Sequence, residues 1–394
     1  MEISKLNNNI TPSGTMAISN KARILKEQGK PVIGFGAGEP DFPTPSHVIE
    51  EVKIASENPA YHKYTAVGGL PILRDEISRT TKKYSNFEID PDNVVVTNGG
   101  KQAILTTFMS LLDPGDEVLI PSPYWTTYPE AVKISGGDPV VVDTDFENDF
   151  KVTVEQLEEK FTEKTKVLVW VSPSNPTGVV YSKEEAEEIY NWAFDKNIWI
   201  LSDELYEHLV YEGVTSPSPA TIDKNLEKTI VVNGVAKAYS MTGWRVGWIM
   251  GNNDVIGLSK KIQSHATSNV ANISQVAAYS ALKNGLDSTN EMKKAFDKRR
   301  NYALNLFRSI ENIRVPDAKG AFYVFPDVNH FTNSLIEGVG TSIELCDWLL
   351  EKYYIAFVPG EVFGKEGFLR CSYALSDEDL EEGLSRFKDA LESI

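Results

Sequence analysis

Lys237 stands in Asn233-Gly234-Val235-Ala236-Lys237-Ala238-Tyr239, among neighbours that are almost all small or apolar. Burial in such surroundings penalises the ammonium and lowers its pKa. The neutral amine that results is both a nucleophile toward carbonyl groups and a general base. A solvated loop lysine fits poorly with so few polar neighbours. Asp203 closes the apolar run Trp199-Ile200-Leu201-Ser202. An acid at the end of a buried strand is costly unless it meets a cation or a donor. A protonated ring nitrogen would serve; a helix N-cap is the plainer alternative.

Three further segments carry similar chemistry. Asn98-Gly99-Gly100-Lys101 follows Val94-Val95-Val96-Thr97 and opens a helical pattern. Strand, glycine turn and helix N-terminus leave backbone N–H groups free for a phosphate; a tight turn uses the same residues. Pro121-Ser122-Pro123-Tyr124-Trp125 either delivers an aromatic ring to a cleft edge or tucks a tryptophan into the core. Asn175, held in Pro173-Ser174-Asn175-Pro176, either donates to a ligand oxygen or closes an Asx turn. Arg245, between Gly243 and Gly247, can return to the phosphate. In chain order these supply a phosphate cradle, a ring stacker, an amide donor, an acid for a pyridine nitrogen and an imine-forming lysine. Those are the requirements of pyridoxal 5'-phosphate, whose protonated ring acts as an electron sink.

Ligands of open α/β sheets bind beyond the carboxyl ends of the strands, so these residues need strands that end together. Strand patterns fall at Val94–Thr97, Glu117–Pro121, Pro139–Asp143, Val167–Ser172, Trp199–Asp203, Thr229–Asn233 and Val246–Met250. Helical patterns lie between several of them, as at Lys101–Leu112 and Ser182–Lys196. The second opens on Ser182 and Glu185, a capping box, and repeats apolar residues at Ala186, Ile189, Tyr190 and Ala193. Continuous apolar runs alternating with helices predict a mostly parallel, seven-stranded α/β sheet covered on both faces.

Beyond residue 280 or so the pattern becomes a long charged helix (Asn290–Ile310), short strands at Ala321–Phe325, Ile355–Val358 and Phe368–Ala374, and a last helix, Asp377–Glu392. We expect residues 36–283 to form a large ligand-binding domain and 284–394 a smaller α+β domain. Residues 1–35, an arm with one helix at Ser19–Gly29, should pack with the smaller one.

The bulk composition narrows the partners. Among 394 residues, 56 acidic against 39 basic side chains give a net charge of −17. Such a surface repels nucleic acid and anionic membranes. Two cysteines, Cys346 and Cys371, suggest neither a metal site nor a disulfide framework, and a cytoplasmic location is expected. The first residues lack an apolar signal core, and no apolar run is long enough to span a bilayer.

These segments, with Gly36-Ala37-Gly38-Glu39-Pro40-Asp41-Phe42, Gly320-Ala321-Phe322-Tyr323-Val324-Phe325-Pro326 and Leu369-Arg370-Cys371-Ser372-Tyr373-Ala374, resemble the fold-type I pyridoxal-phosphate aminotransferases. The resemblance is to the prokaryotic branch of aspartate aminotransferases within the class I/II group and runs along essentially the whole chain. It implies that Lys237 is the Schiff-base lysine and proton carrier and that Asp203 partners the pyridine nitrogen. Tyr206 and Asn175 would bond the phenolic oxygen, and Trp125 would stack on the ring. Gly99, Gly100 and Arg245 would hold the phosphate, joined by Tyr64 from the other subunit of a homodimer with shared active sites. Arg370, beside Gly38, would clamp the substrate α-carboxylate. The Ser122-Pro123 and Asn175-Pro176 bonds correspond to positions that are cis in relatives.

Within that branch, Lys101 and Thr15 correspond to the readers of the distal carboxylate, which implies transfer from L-aspartate to 2-oxoglutarate. A buried cation with a nearby hydroxyl suits a dicarboxylate and penalises apolar substrates. Prephenate or aromatic amino acids are the nearest alternative substrates. A carbon–sulfur lyase or an aminocyclopropane-carboxylate synthase shares the scaffold. A non-enzymatic regulator would need a DNA-binding helix-turn-helix, for which this acidic chain has no room.

Overall fold

The computed structural model describes residues 8–12, 14–333 and 335–393. Of the expected N-terminal arm, residues 1–7 and Ser13 therefore lie outside the described residues. In chain order the strands are β1 (Ile33–Gly34), β2 (Val94–Thr97), β3 (Glu117–Ser122), β4 (Asp138–Asp143), β5 (Thr165–Val171), β6 (Trp199–Asp203), β7 (Thr229–Gly234), β8 (Gly247–Met250), β9 (Tyr323–Val324), β10 (Ile355–Ala356), β11 (Val358–Pro359) and β12 (Leu369–Ser372).

Seven of them form one sheet in the order β2-β8-β7-β6-β5-β3-β4. β3 to β7 pair in parallel, while β8 runs antiparallel to both β2 and β7. The expected mostly parallel seven-stranded sheet is thus present, with ends within two residues of the sequence reading. Val94, Val95 and Val96 are buried in succession, as are Leu168, Val169 and Trp170. Side chains on both faces find cover, which is why the strands read as unbroken apolar runs. The Lys183–Asp195 helix carries the expected capping box. Ser182 Oγ accepts from the Glu185 N–H at 3.1 Å, and the Ser182 N–H donates to Glu185 Oε2 at 2.5 Å.

A second layer follows the Asp287–Ser309 helix. β9, β11 and β12 form a small antiparallel sheet in the order β11-β12-β9, and β1 pairs in parallel with β10. Ile33 and Phe35 share a core with Phe296, Phe307, Phe357 and Phe387, and Phe35 stacks on Phe357 at 4.6 Å. The N-terminal helix spans Gly14–Glu27, five residues earlier than the expected start at Ser19. Ile18, Ala22 and Leu25 pack against Val32, Leu350 and Ala356, so tertiary contact extends a helix whose polar first turn reads as arm. Among the described residues no helix is long and apolar enough to cross a membrane.

Candidate active site

Topology brings the chemistry to one edge. The loops after β2, β3, β5, β6 and β7 carry Gly99 and Gly100, Trp125, Asn175, Asp203 and Lys237. β8 runs the other way, so its start, not its end, lies at the same edge, and Arg245 comes just before it. Above this edge, the Phe35 carbonyl accepts from the Ser372 N–H at 2.9 Å, which ties the Gly36–Gly38 segment to β12 and Arg370.

The result is a cavity of about 740 Å³ lined by eleven of the thirteen expected site residues: Lys237, Asp203, Tyr206, Gly100, Trp125, Asn175, Arg245, Gly38, Arg370, Lys101 and Thr15. Two do not line it. Gly99 lies directly behind, because a Cβ added there would come within 2.8 Å of the Arg245 guanidinium. Tyr64 is 91% exposed.

Lys237 is half-buried, and its ammonium donates to the Gly38 carbonyl. Burial, with Arg370 nearby, pulls its pKa down from 10.5 to about 8, against the opposite pull of Glu39 and Asp203. Asp203, at the end of β6, is buried; burial pushes its carboxyl up. It accepts from the Tyr128 hydroxyl at 2.7 Å and the Leu205 N–H at 3.2 Å. Neither bond supplies the full counter-cation that a buried carboxylate needs.

Arg370 is buried in β12. Its NH1 donates to Asn175 Oδ1 at 3.1 Å and its NH2 to the Gly36 carbonyl at 2.9 Å, while its buried Nε has no partner among the described residues. Neither bond involves a carboxylate, so this cation too awaits an anion. Arg245 adopts a left-handed backbone (φ 57°), a conformation costing a non-glycine residue about 1–3 kcal/mol that a functional corner can sustain. Among the described residues its guanidinium donates only to the Thr242 and Asn98 carbonyls, at 2.9 and 3.5 Å, beside the N-terminus of the Gly99–Leu111 helix. A cation next to a positive helix end is unfavourable until an anion sits between them. Gly247 makes the corner possible: a Cβ there would lie 2.7 Å from Gly100 N and from Gly99 C.

Lys101 corrects one expectation, because it is exposed rather than buried. Its ammonium sits 5.2 Å from the Trp125 ring centroid, and desolvation, then the Arg245 charge, lowers its pKa. Thr15 opens a stripe of lining residues, with Ile18, Ser19, Ala22, Arg23 and Lys26 at helical spacing, so one face of the N-terminal helix forms a cavity wall. The Ser122-Pro123 and Asn175-Pro176 bonds are cis, as is Ser172-Pro173, which the sequence reading leaves out.

Two further tyrosines belong to the site. Tyr128 supports Asp203, and Tyr323 hydrogen-bonds Tyr206, hydroxyl to hydroxyl, at 2.9 Å. Tyr128 lies three residues beyond Trp125, close to one helical turn, which is the signal that could have found it. Tyr323 sits inside a quoted motif, but nothing in its spacing marks it as facing the cavity.

The family model for aminotransferase class I and II matches residues 30–387. An aspartate aminotransferase of Streptomyces avermitilis is 51% identical over 385 residues, covering 97% of this chain and 94% of that protein. A probable aspartate/prephenate aminotransferase of Aquifex aeolicus is 43% identical, covering 98% and 97%. Among solved structures, the aspartate aminotransferase of Rhizobium meliloti superposes with a TM-score of 0.95 at 36% identity, over 100% of this chain and 99% of that one. With sequence, fold and cavity in agreement, the chain belongs to the class I and II aminotransferases.

Proposed function

We propose that this protein is a pyridoxal 5'-phosphate-dependent aminotransferase that moves the amino group of L-aspartate to 2-oxoglutarate, forming oxaloacetate and L-glutamate. The observation that carries the reading is the convergence, in one cavity, of three groups: the amine of Lys237 with its lowered pKa, the buried carboxylate of Asp203 and the buried fork of Arg370, whose Nε has no hydrogen-bond partner among the described residues.

The residues present fit the cofactor. The glycine corner with Arg245 suits its phosphate, Asp203 suits its ring nitrogen, and Lys237 suits its aldehyde, which it would hold as an imine. When bound, the cofactor supplies a sink for the electron pair left as the substrate Cα–H bond breaks. The chain's own residues do the rest. Asp203 keeps the ring nitrogen protonated. Tyr206 and the Asn175 amide would donate to the phenolic oxygen, and Trp125 would cover the ring. Arg370 grips the α-carboxylate in two-pronged fashion next to Gly38. Lys101, with Thr15, reads the distal carboxylate, so that both ends of the substrate fix the Cα–H bond toward Lys237. The Lys237 amine, with its lowered pKa, would serve as the base that takes the Cα proton and returns it on the cofactor side.

We assign residues 36–283 to a large cofactor-binding domain and residues 1–35 and 284–394 to a smaller one, in keeping with one seven-stranded sheet formed by the first and two small sheets formed by the second. The exposure of Tyr64 supports a role outside its own cavity, at the phosphate of a second copy in a homodimer. A cytoplasmic location accords with the two free, buried cysteines. A second reading, use of prephenate as well, is favoured by the length of the cavity. From Thr15 to Lys26 its wall runs 12 helical residues, about 16 Å at 1.5 Å per step, more than a four-carbon acid fills.

The cofactor-loaded protein is mixed with L-aspartate alone and its absorbance followed. Conversion to the amine form of the cofactor, reversed by 2-oxoglutarate, is expected. Conversion with tyrosine but not aspartate would overturn the dicarboxylate reading. A protein that shows no cofactor band after incubation with pyridoxal phosphate would overturn the cofactor assignment.

A further inference from the structure

Tyr323 is fully buried in β9, opposite Ser372 of β12. Side chains two apart along a strand share a face, so Arg370 and Ser372 point the same way and Tyr323 is the diagonal neighbour of Arg370. The Arg370 guanidinium carbon lies 4.6 Å from the Tyr323 ring centroid. The Tyr323 hydroxyl is 2.9 Å from the Tyr206 hydroxyl, and each is the other's sole hydrogen-bond partner among the described residues.

Either hydroxyl can donate in the pair alone, and a ligand in the cavity selects the direction. Burial pushes both phenols above their ordinary pKa, so the pair keeps two protons for two oxygens. One proton lies between the oxygens and the other points outward. The charged group nearest Tyr323 is the Arg370 guanidinium, which accepts nothing. If Tyr206 donates to an anionic oxygen in the cavity, its own oxygen must accept from Tyr323. Donation from Tyr323 then polarises the Tyr206 O–H and strengthens its outward bond.

We propose that Tyr323 is a positioning residue that couples the two ends of the reacting complex: its ring supports the Arg370 fork that takes the substrate carboxylate, and its hydroxyl directs the Tyr206 proton at the cofactor's phenolic oxygen. The proposal rests on the cofactor reading above. It makes the Tyr206 bond and the Arg370 platform depend on one side chain.

The two roles separate by substitution. Tyr323→Phe keeps the ring and removes the donor. Spectrophotometric titration of the imine that joins Lys237 to the cofactor reads the Tyr206 bond without turnover, because a donor to the phenolic oxygen stabilises the deprotonated imine less well once weakened. The imine pKa of Tyr323→Phe is expected to rise, by less than in Tyr206→Phe. The double variant is expected to match Tyr206→Phe, since the effect passes through that hydroxyl. Succinate affinity, read from the same absorbance, should stay unchanged in Tyr323→Phe and fall roughly three- to thirtyfold in Tyr323→Leu, the range for a desolvated cation over an aromatic ring. A Tyr323→Phe protein that titrates like wild type, or a double variant whose shifts add, would overturn the coupling even if Tyr323→Leu fails to fold. If wild type forms no imine, the cofactor reading itself falls.

Discussion

Arg370 is held by an amide oxygen and a backbone carbonyl, with one buried N–H left over. A guanidinium so placed has its geometry fixed before any carboxylate arrives, and the carboxylate completes what the protein leaves open. Lysine keeps the charge but not the fork, so Arg370→Lys should raise KM for both aspartate and 2-oxoglutarate about ten- to a hundredfold, the worth of a charged hydrogen bond. Steady-state kinetics on each substrate check this; a rise for only one of them would place Arg370 elsewhere than on the shared α-carboxylate. Lys237 allows a test by pH. Desolvation brings its pKa to about 8, so its reactive neutral form grows as pH rises through that value rather than through 10.5. The rate at which cofactor-free protein captures pyridoxal phosphate should therefore climb between pH 7 and 9 and level off above, as stopped-flow absorbance would record. A rate still climbing steeply above pH 10 would show that burial does not act on this amine. Both residues were legible because their chemistry conflicts with their surroundings: a lysine among small apolar residues and an arginine inside an apolar strand. Tyr128 and Tyr323 were not, because a buried tyrosine is ordinary core until its hydroxyl partner is known.

The elements were legible in proportion to how one-sided their burial is. The seven strands of the large sheet stand out as short β-branched runs, and the Lys183–Asp195 helix shows both its cap and its period. The Asn272–Lys283 helix went unassigned. It buries Asn272, Gln275, Val276, Ala277, Ala278, Ser280, Ala281 and Leu282, nearly its whole circumference, so no apolar stripe marks it. The N-terminal helix was read five residues short, because the apolar contacts that anchor it begin only at Ile18, beyond its first turn. The meeting of elements was less visible still. Gly99–Gly100 suggested a phosphate turn and Gly247 a close backbone approach beside Arg245, but that the approach is to this same turn shows only in the fold. Gly247→Ala places a Cβ 2.7 Å from two backbone atoms that cannot swing aside. The helix start must then move from β8 and Arg245. We expect a loss of roughly 1–3 kcal/mol in stability from overpacking, together with weakened retention of pyridoxal phosphate. Thermal unfolding with and without cofactor separates the two effects. A variant destabilised equally in both states, with unaltered cofactor affinity, would mean that the corner tolerates the shift.

At the scale of the whole molecule, charge is distributed against the average. The chain carries a net −17, but its cavity is lined by six cations (Arg23, Lys26, Lys101, Lys237, Arg245 and Arg370) and two carboxylates, Glu39 and Asp203. A low-dielectric cleft of one sign inside a surface of the other concentrates the field at the opening. Arg23 and Lys26 stand exposed at the outer end of the N-terminal helix. Arg23 is partly offset by Glu27 at 2.5 Å, whereas Lys26 has no ion-pair partner among the described residues. Composition announced the acidic surface but not this inversion, because the six cations come from four well-separated stretches of chain that only the fold assembles. Screening offers the test, since the Debye length falls from about 30 Å at 0.01 M to about 3 Å at 1 M salt. KM for aspartate should rise several-fold across that range. Binding of succinate should weaken more steeply than that of a monocarboxylate, because the second charge feels the same field. Lys26→Gln should flatten the succinate slope while leaving kcat near that of wild type, because the ammonium lies at the cavity's outer end, away from Lys237 and Arg370. Parallel slopes for the two acids would show that the contacts with Arg370 and Lys101 account for dicarboxylate binding without help from the rim.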